Sequence, residues 1–248
     1  MYPPYLIYRL GDEVCFHDQA DLAEDLEFLY VYCYGQRGKL ELLYQNLHSI
    51  VVDKKLPHVS LNNETSLGDG EMNGTTWKRY SVMLFGIDSI SRLNFIRTMS
   101  NTKTFLEHHN WTWLEGYNKV ADNTFPNLIA ILTGMNVSQL FNTCYPSQDT
   151  RLDDCPFLWN EYSKQGYLTA YFEDEVQIGT FNFERYGFLN APTDYYGRPY
   201  MMAGEALLKP EVKSVLPIIL GFICYSERCC VEVKSSGLIL SYYFTYFH

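Results

Sequence analysis

Apolar positions along the chain fall into short runs separated by polar punctuation. The sharpest is Ser81-Val82-Met83-Leu84-Phe85-Gly86-Ile87, a near-continuous apolar run that predicts a parallel strand buried on both faces. It stops at Asp88-Ser89, after which Ser91–Met99 and Thr102–His109 read as helices. Trp113–Val120 is a second strand candidate. Asp122-Asn123-Thr124 leads into a helix over Phe125–Gly134, where Pro126 suits the first turn and Gly134 the stop. Phe157–Gln165 predicts another helix, ended by Gly166, and Tyr167–Phe172 a strand running into Glu173-Asp174-Glu175. Strands and helices in alternation predict an α/β fold, a mainly parallel sheet with helices on both faces.

The flanks read differently. Residues 1–60 carry aromatic and β-branched runs such as Phe28–Tyr34, with partial alternation, and predict one or two strands. Residues 61–79 are rich in Asn, Gly, Thr and Glu without a period, which marks a polar loop or linker before an α/β domain over 80–213. Residues 214–248 form an atypical tail, with non-homologous sequence as one reading. Its apolar stretches, Val215–Tyr225 and Gly237–Phe247, are shorter than the roughly 18–20 residues a membrane-spanning helix needs.

Composition narrows the function classes. Lys and Arg total 19 against 29 Asp and Glu, a net charge of -10, which argues against nucleic-acid binding because that needs a basic footprint. Four acceptor sequons, at Asn63, Asn73, Asn110 and Asn136, lean toward the secretory pathway. No basic segment followed by an apolar one opens the chain, so a signal or membrane anchor is expected to lie outside it. Seven cysteines occur without a CxxC pair, which disfavours a zinc ribbon. Cys144 and Cys155 bracket a polar loop and are the best candidates for a disulfide, the alternative being two unrelated buried thiols.

Three predicted strand ends are polar: Asp88-Ser89, Asp122-Asn123-Thr124 and Glu173-Asp174. In open α/β sheets functional groups collect there. A carboxylate held after a buried strand can ligate a cation, and a Thr hydroxyl at a helix N-terminus sits where N–H groups favour an oxyanion. Asn127, one turn after Thr124, is placed to donate its amide to a non-bridging oxygen. The plainer alternative for each is structural, since such carboxylates and Thr hydroxyls more often cap helices.

The stretches Phe85-Gly86-Ile87-Asp88-Ser89-Ile90-Ser91-Arg92 and Glu115–Leu128 resemble the DUF229 family, in the alkaline phosphatase and sulfatase superfamily. Asp154–Trp159, Gly166–Asp174 and Pro192–Pro199 match in the same order, so the resemblance covers roughly residues 25–205. Thr124-Phe125-Pro126-Asn127 is also similar to the nucleophile motif of nucleotide pyrophosphatases/phosphodiesterases. The resemblance implies an alkaline-phosphatase-like fold, here incomplete. It makes Asp88 and Thr124 metal ligands, Thr124 the metal-activated nucleophile and Asn127 an oxyanion donor. Glu173 and Asp174 correspond more loosely to substrate- or metal-proximal residues. The implied cofactor is a divalent metal, Zn²⁺ or Ca²⁺, and the implied partner a small-molecule or glycan phosphate or sulfate ester.

The histidines are His17, His48, His58, His108, His109 and His248, so the imidazole ligands that the superfamily draws from downstream of the nucleophile are missing. The site is therefore expected to be incomplete, and the chain to be an inactive opening portion of an ester hydrolase. The segment at Thr124 lacks the Cys/Ser-x-Pro-x-Arg context of formylglycine sulfatases. The competing reading is a non-catalytic secretory-pathway glycoprotein, a pseudoenzyme or binding module that keeps only the fold.

Overall fold

The structure is a computed structural model that describes residues 11, 13–15, 21–23, 25–37, 39–54, 69–72, 75–78, 80–208 and 238–243. In chain order the strands are β1 (Phe28–Arg37), β2 (Lys39–Ser49), β3 (Asp69–Met72), β4 (Thr75–Lys78), β5 (Ser81–Gly86), β6 (Ala170–Tyr171), β7 (Tyr195–Tyr196) and β8 (Leu238–Tyr243). The helices are α1 (Arg92–Thr98), α2 (Ser100–His108), α3 (Thr124–Thr133), α4 (Val137–Thr143), α5 (Leu158–Lys164) and α6 (Arg198–Leu208). The result is a mixed α/β chain that divides into two compact units, Met1–Pro57 with Phe141–Ile218 and His58–Leu140 with Ile219–His248. Residues 80–140 fall in the second unit and 141–208 in the first.

In the first unit the one or two strands expected within residues 1–60 are two, β1 and β2, paired as an antiparallel hairpin with Phe28 opposite Ser49 and a register shift between Cys33 and Tyr34. Tyr30, Tyr32 and Tyr34 alternate onto one face, with adjacent ring centroids 5.5 and 5.8 Å apart. Helix α6 packs on the hairpin: Leu47 is buried, Phe28 meets Tyr200 edge-on, and the Tyr200 hydroxyl donates to the Leu47 carbonyl at 3.2 Å. The core of the unit is aromatic. Phe157, Phe181 and Phe188 pack edge to face, and Trp159 stacks on Phe157 with centroids 4.3 Å apart.

Polar locks close the loops around that core. The Asp194 carboxylate accepts from the Thr169 N–H and hydroxyl, both at 2.8 Å, which fixes β6 beside β7. Arg151 donates to the Tyr186 and Phe188 carbonyls. Cys144 and Cys155 form the disulfide, with Cα atoms 5.2 Å apart. Cys15 and Cys33 are free thiols among the described residues; Cys224, Cys229 and Cys230 lie outside them.

Burial pushes the Tyr171 hydroxyl well above its ordinary pKa, helped by the neighbouring Glu173 carboxylate. Burial also raises Tyr196 to about 12, against the opposing pull of Arg198. A tyrosine whose folded pKa lies above its unfolded value stabilises the fold fully below that unfolded value, about 10, and loses the contribution as pH rises toward the folded one. Tyrosinate absorbance should therefore rise in two stages. The buried Tyr171 and Tyr196 should ionise only together with loss of circular dichroism between about pH 10 and 12. A single stage finished before unfolding would contradict this burial.

In the second unit β3 and β4 pair antiparallel inside the stretch expected to be only loop. Strand β5 pairs in parallel with β8. This corrects the expectation for Ser81–Ile87: Val82, Met83 and Leu84 are exposed, Val82 at 56%. Burial on both faces requires a wide sheet with covering helices, whereas every sheet among the described residues has two strands. The second expected strand, Trp113–Val120, has no strand conformation. Of the tail, 238–243 supplies β8, and the rest lies outside the described residues. The unit's core is Phe95, Leu106, Phe125, Ile129 and Leu140. Among the described residues no helix is long and apolar enough to cross a membrane.

Candidate functional site

Asp88 follows β5, the edge of a parallel pair, and its carboxylate is exposed. Its Oδ1 accepts from the Ser89 N–H at 2.8 Å, and Ser89 has a left-handed φ of 56°. Helix α1 begins just beyond, where the Ser91 hydroxyl accepts from the Asn94 N–H at 3.1 Å. Arg92, the first residue of α1, reaches across to the segment that precedes Thr124. Its guanidinium donates to the Leu114 carbonyl at 2.6 Å and the Glu115 carbonyl at 3.3 Å. One side chain thus ties the turn carrying Asp88 to the stretch leading into Thr124.

Thr124 is half-buried and is the first residue of α3. Asn123 before it has φ 71° and ψ 167°, a region that essentially only glycine visits and that costs about 1–3 kcal/mol. Asn is among the best helix caps, yet this side chain makes no capping bond. The helix N-terminus is thus left without its usual side-chain acceptor. Pro126, in the first turn, has no N–H to lose there. At the other end Gly134, with φ 71°, closes α3 in the left-handed conformation. Two of the four non-glycine residues with positive φ among the described residues, Ser89 and Asn123, adjoin the two candidate ligands.

Asn127 is 1% exposed. Its Oδ1 accepts from the Val120 N–H at 2.7 Å, and its Nδ2 donates to the Ala121 carbonyl at 2.6 Å and the Asn123 carbonyl at 2.7 Å. A primary amide has two N–H bonds, and both are spent here. In this arrangement Asn127 folds the 120–123 turn onto α3 instead of presenting a donor to a ligand. The residue type and the helical spacing from Thr124 are visible in the sequence; the three backbone partners arise from the loop and are not. Arg92 is likewise a positioning residue that spacing does not reveal.

Glu173 and Asp174 belong to the first unit. Glu173 accepts from the Thr180 N–H at 2.7 Å, closing the 173–180 loop. Gly179 is required there because a Cβ would lie 2.9 Å from the Glu175 carbonyl and 3.1 Å from Glu173 Oε2. His108 and His109 are exposed; His109 stacks on Phe105 and its Nδ1 lies 2.8 Å from the Phe105 carbonyl. Among the described residues no group of three or more His, Cys, Asp or Glu side chains converges. Asp88 and Thr124 offer hard oxygen donors, but two donors do not complete the shell of Zn²⁺ or Ca²⁺. Of the sequons, Asn110 is exposed with φ 54°, and Asn136 is exposed at the head of α4, exchanging 2.9 Å capping bonds with Gln139. Asn63 and Asn73 lie outside the described residues.

A family model described as a protein of unknown function, DUF229, matches residues 5–228, and so runs past position 214 into the tail. No curated protein and no solved structure matches the chain.

Proposed function

This chain belongs to the DUF229 family, and from that premise we propose that it derives from a metal-dependent hydrolase of phosphate or sulfate esters, built on an alkaline-phosphatase-like fold. Thr124 is the nucleophile: its hydroxyl attacks phosphorus or sulfur, the alcohol leaves opposite, and water releases the acid from Thr124. One observation carries the reading, the strained and uncapped turn at Asn123 directly before Thr124 at the head of α3. Strain of that kind collects at reactive positions, and the free N–H groups of a helix start favour an oxyanion. Asn127 holds that turn in place. A divalent cation, when bound, would supply Lewis-acid activation of the hydroxyl, with Asp88 and Thr124 as its holders on this chain.

The protein is further assigned to the secretory pathway, as a glycoprotein. The Cys144–Cys155 disulfide supports an oxidising compartment, and Asn110 and Asn136 are exposed acceptors. A second reading, a pseudoenzyme or binding module, is favoured by one observation: both amide N–H bonds of Asn127 are committed to backbone carbonyls.

Turnover of aryl phosphate, phosphodiester and aryl sulfate with Zn²⁺ or Ca²⁺ separates the two readings. Because this chain brings only Asp88 and Thr124 to the cation among its described residues, ester hydrolysis predicts cleavage of at least one ester where the remaining metal ligands are supplied, lowered at least about a hundredfold by Thr124→Ala. Turnover unchanged in that variant would remove Thr124 from the chemistry, and no turnover of any ester would favour the non-catalytic reading.

A further inference from the structure

The hairpin β1–β2 is covered near its base, where Leu47 is buried and Phe28 meets Tyr200 of α6. Toward the turn it is open: Cys33, Tyr34, Leu42, Leu43 and Tyr44 are all exposed, Leu43 at 66%. Among the described residues β1 pairs with β2 alone, so its outer edge presents a row of backbone N–H and C=O groups to pairing. Two strands by themselves are marginal in water and gain from a third. We propose that the third strand is β1 of a second copy of this chain, paired antiparallel about a two-fold axis at Cys33.

The register and the charges select that occupant. Cys33 lies opposite Tyr44 and Tyr34 opposite Leu42, so the extra residue, Leu43, sits on β2 and the edge of β1 is unbroken. Cys33 is at the middle of Phe28–Arg37. An axis there sets Leu29 against Arg37 of the second copy, which uses almost the whole strand. Tyr34 then falls opposite Tyr32 of the second copy, an aromatic cross-strand pair. Arg37 ends β1 and Lys39 opens β2, which makes the turn basic; Glu41 lies further along β2, one strand away from the outer edge. The segment entering β1 is acidic, with exposed Asp21, Asp25 and Glu27, the last paired with Lys54. In an antiparallel pair each basic turn comes beside the acidic segment of the other copy, whereas a parallel pair brings like charges together.

The same geometry joins the two Cys33 residues. Residues directly opposite in an antiparallel pair have Cα atoms about 4.5–5.5 Å apart, inside the disulfide range of about 4.4–6.8 Å. With glutathione disulfide as the oxidant, one Cys33 thiolate attacks it and releases the first glutathione. The second Cys33 thiolate attacks the Cys33 sulfur of that mixed disulfide and releases the other. One S–S bond forms as one breaks, and both thiol protons end on the two glutathiones. That this bond forms in the cell rests on the secretory-pathway reading; the strand pairing does not.

The test uses the full chain and reads no ester turnover. Light scattering under reductant, from about 1 to 100 µM, should show a reversible dimer with a Kd of tens of micromolar, as suits an interface below about 1,200 Å². Glutathione disulfide should convert it to a covalent dimer whose digest holds the Cys33 peptide joined to itself. Cys33→Ser should abolish that covalent species and leave the reversible dimer. Arg37→Glu should weaken the reversible dimer about fivefold, and Asp25→Lys added to it should restore the affinity. Should Arg37→Glu alter the circular dichroism, Asp25→Lys alone, at an exposed residue, decides. The proposal is overturned if the chain stays monomeric to about 100 µM, if Cys33 is recovered bonded only to Cys15 or to glutathione, or if the folded charge-reversal variant dimerises as tightly as the parent.

Discussion

Asn127→Ala should destabilise the second unit by about 2–4 kcal/mol, seen as a lower denaturant midpoint with little change in slope. The substitution strips partners from the Val120 N–H and from the Ala121 and Asn123 carbonyls at once. An orphaned buried group costs about 1–3 kcal/mol. The full sum is not reached, because 120–123 is exposed and water can enter, and because a freed Asn123 relaxes out of its strained φ and ψ. Asn127→Asp is the sharper comparison. It keeps an oxygen for Val120 but turns a charged acceptor toward two carbonyls, so it should lose at least as much stability as alanine near pH 7 and recover part of it at acid pH as the carboxyl protonates. If Asn127 acts through Thr124, any ester turnover should fall by more than the folded fraction does.

Removing the Cys144–Cys155 bond, by Cys144→Ala with Cys155→Ala or by thiol reduction, should cost about 2–4 kcal/mol. The two cysteines are 11 positions apart, and closing a loop of that size withdraws about 3 kcal/mol of freedom from the unfolded chain. The native side adds to this, since Cys155 is buried next to Phe157 and its N–H and carbonyl both belong to the local turn. Calorimetric midpoints with and without reductant should separate by roughly 8–20 °C for a unit of this size. Coincident midpoints would mean that the aromatic core holds the loop unaided.

The parts of the fold that could be read from sequence are those fixed by local chemistry. Ser91, Pro126 and Gly134 mark the starts and stop of α1 and α3 because capping, a missing N–H and a left-handed φ each act within one turn. The aromatic run at Phe28–Tyr34 marks strand, but the pairing of β1 with β2 is not read from it. Burial is not local: an apolar run such as Val82–Phe85 shows what could be buried, whereas covering it depends on neighbours elsewhere in the chain. Strands β3 and β4 were hidden by their Gly, Thr and Glu content, although Asn73-Gly74 between them is a strong hairpin signal. Helix α4 was missed despite Asn136 and Gln139 in capping-box spacing. At the site, Asp88 and Thr124 stood out by residue type and position. What their neighbours do, Asn127 spending its amide on a turn and Arg92 reaching Leu114, is decided by where distant backbone carbonyls come to lie.

The claim on which the rest depends is that Thr124 is a nucleophile, and its covalent state tests that most directly. Protein whose metal site is complete, incubated with an activated aryl phosphate or sulfate and Zn²⁺ or Ca²⁺, quenched in acid and digested, should yield the peptide containing Thr124-Phe125-Pro126-Asn127 carrying one phosphoryl or sulfuryl group on the threonine. Steady turnover with that peptide unmodified, or with the group on a different residue, would contradict the account.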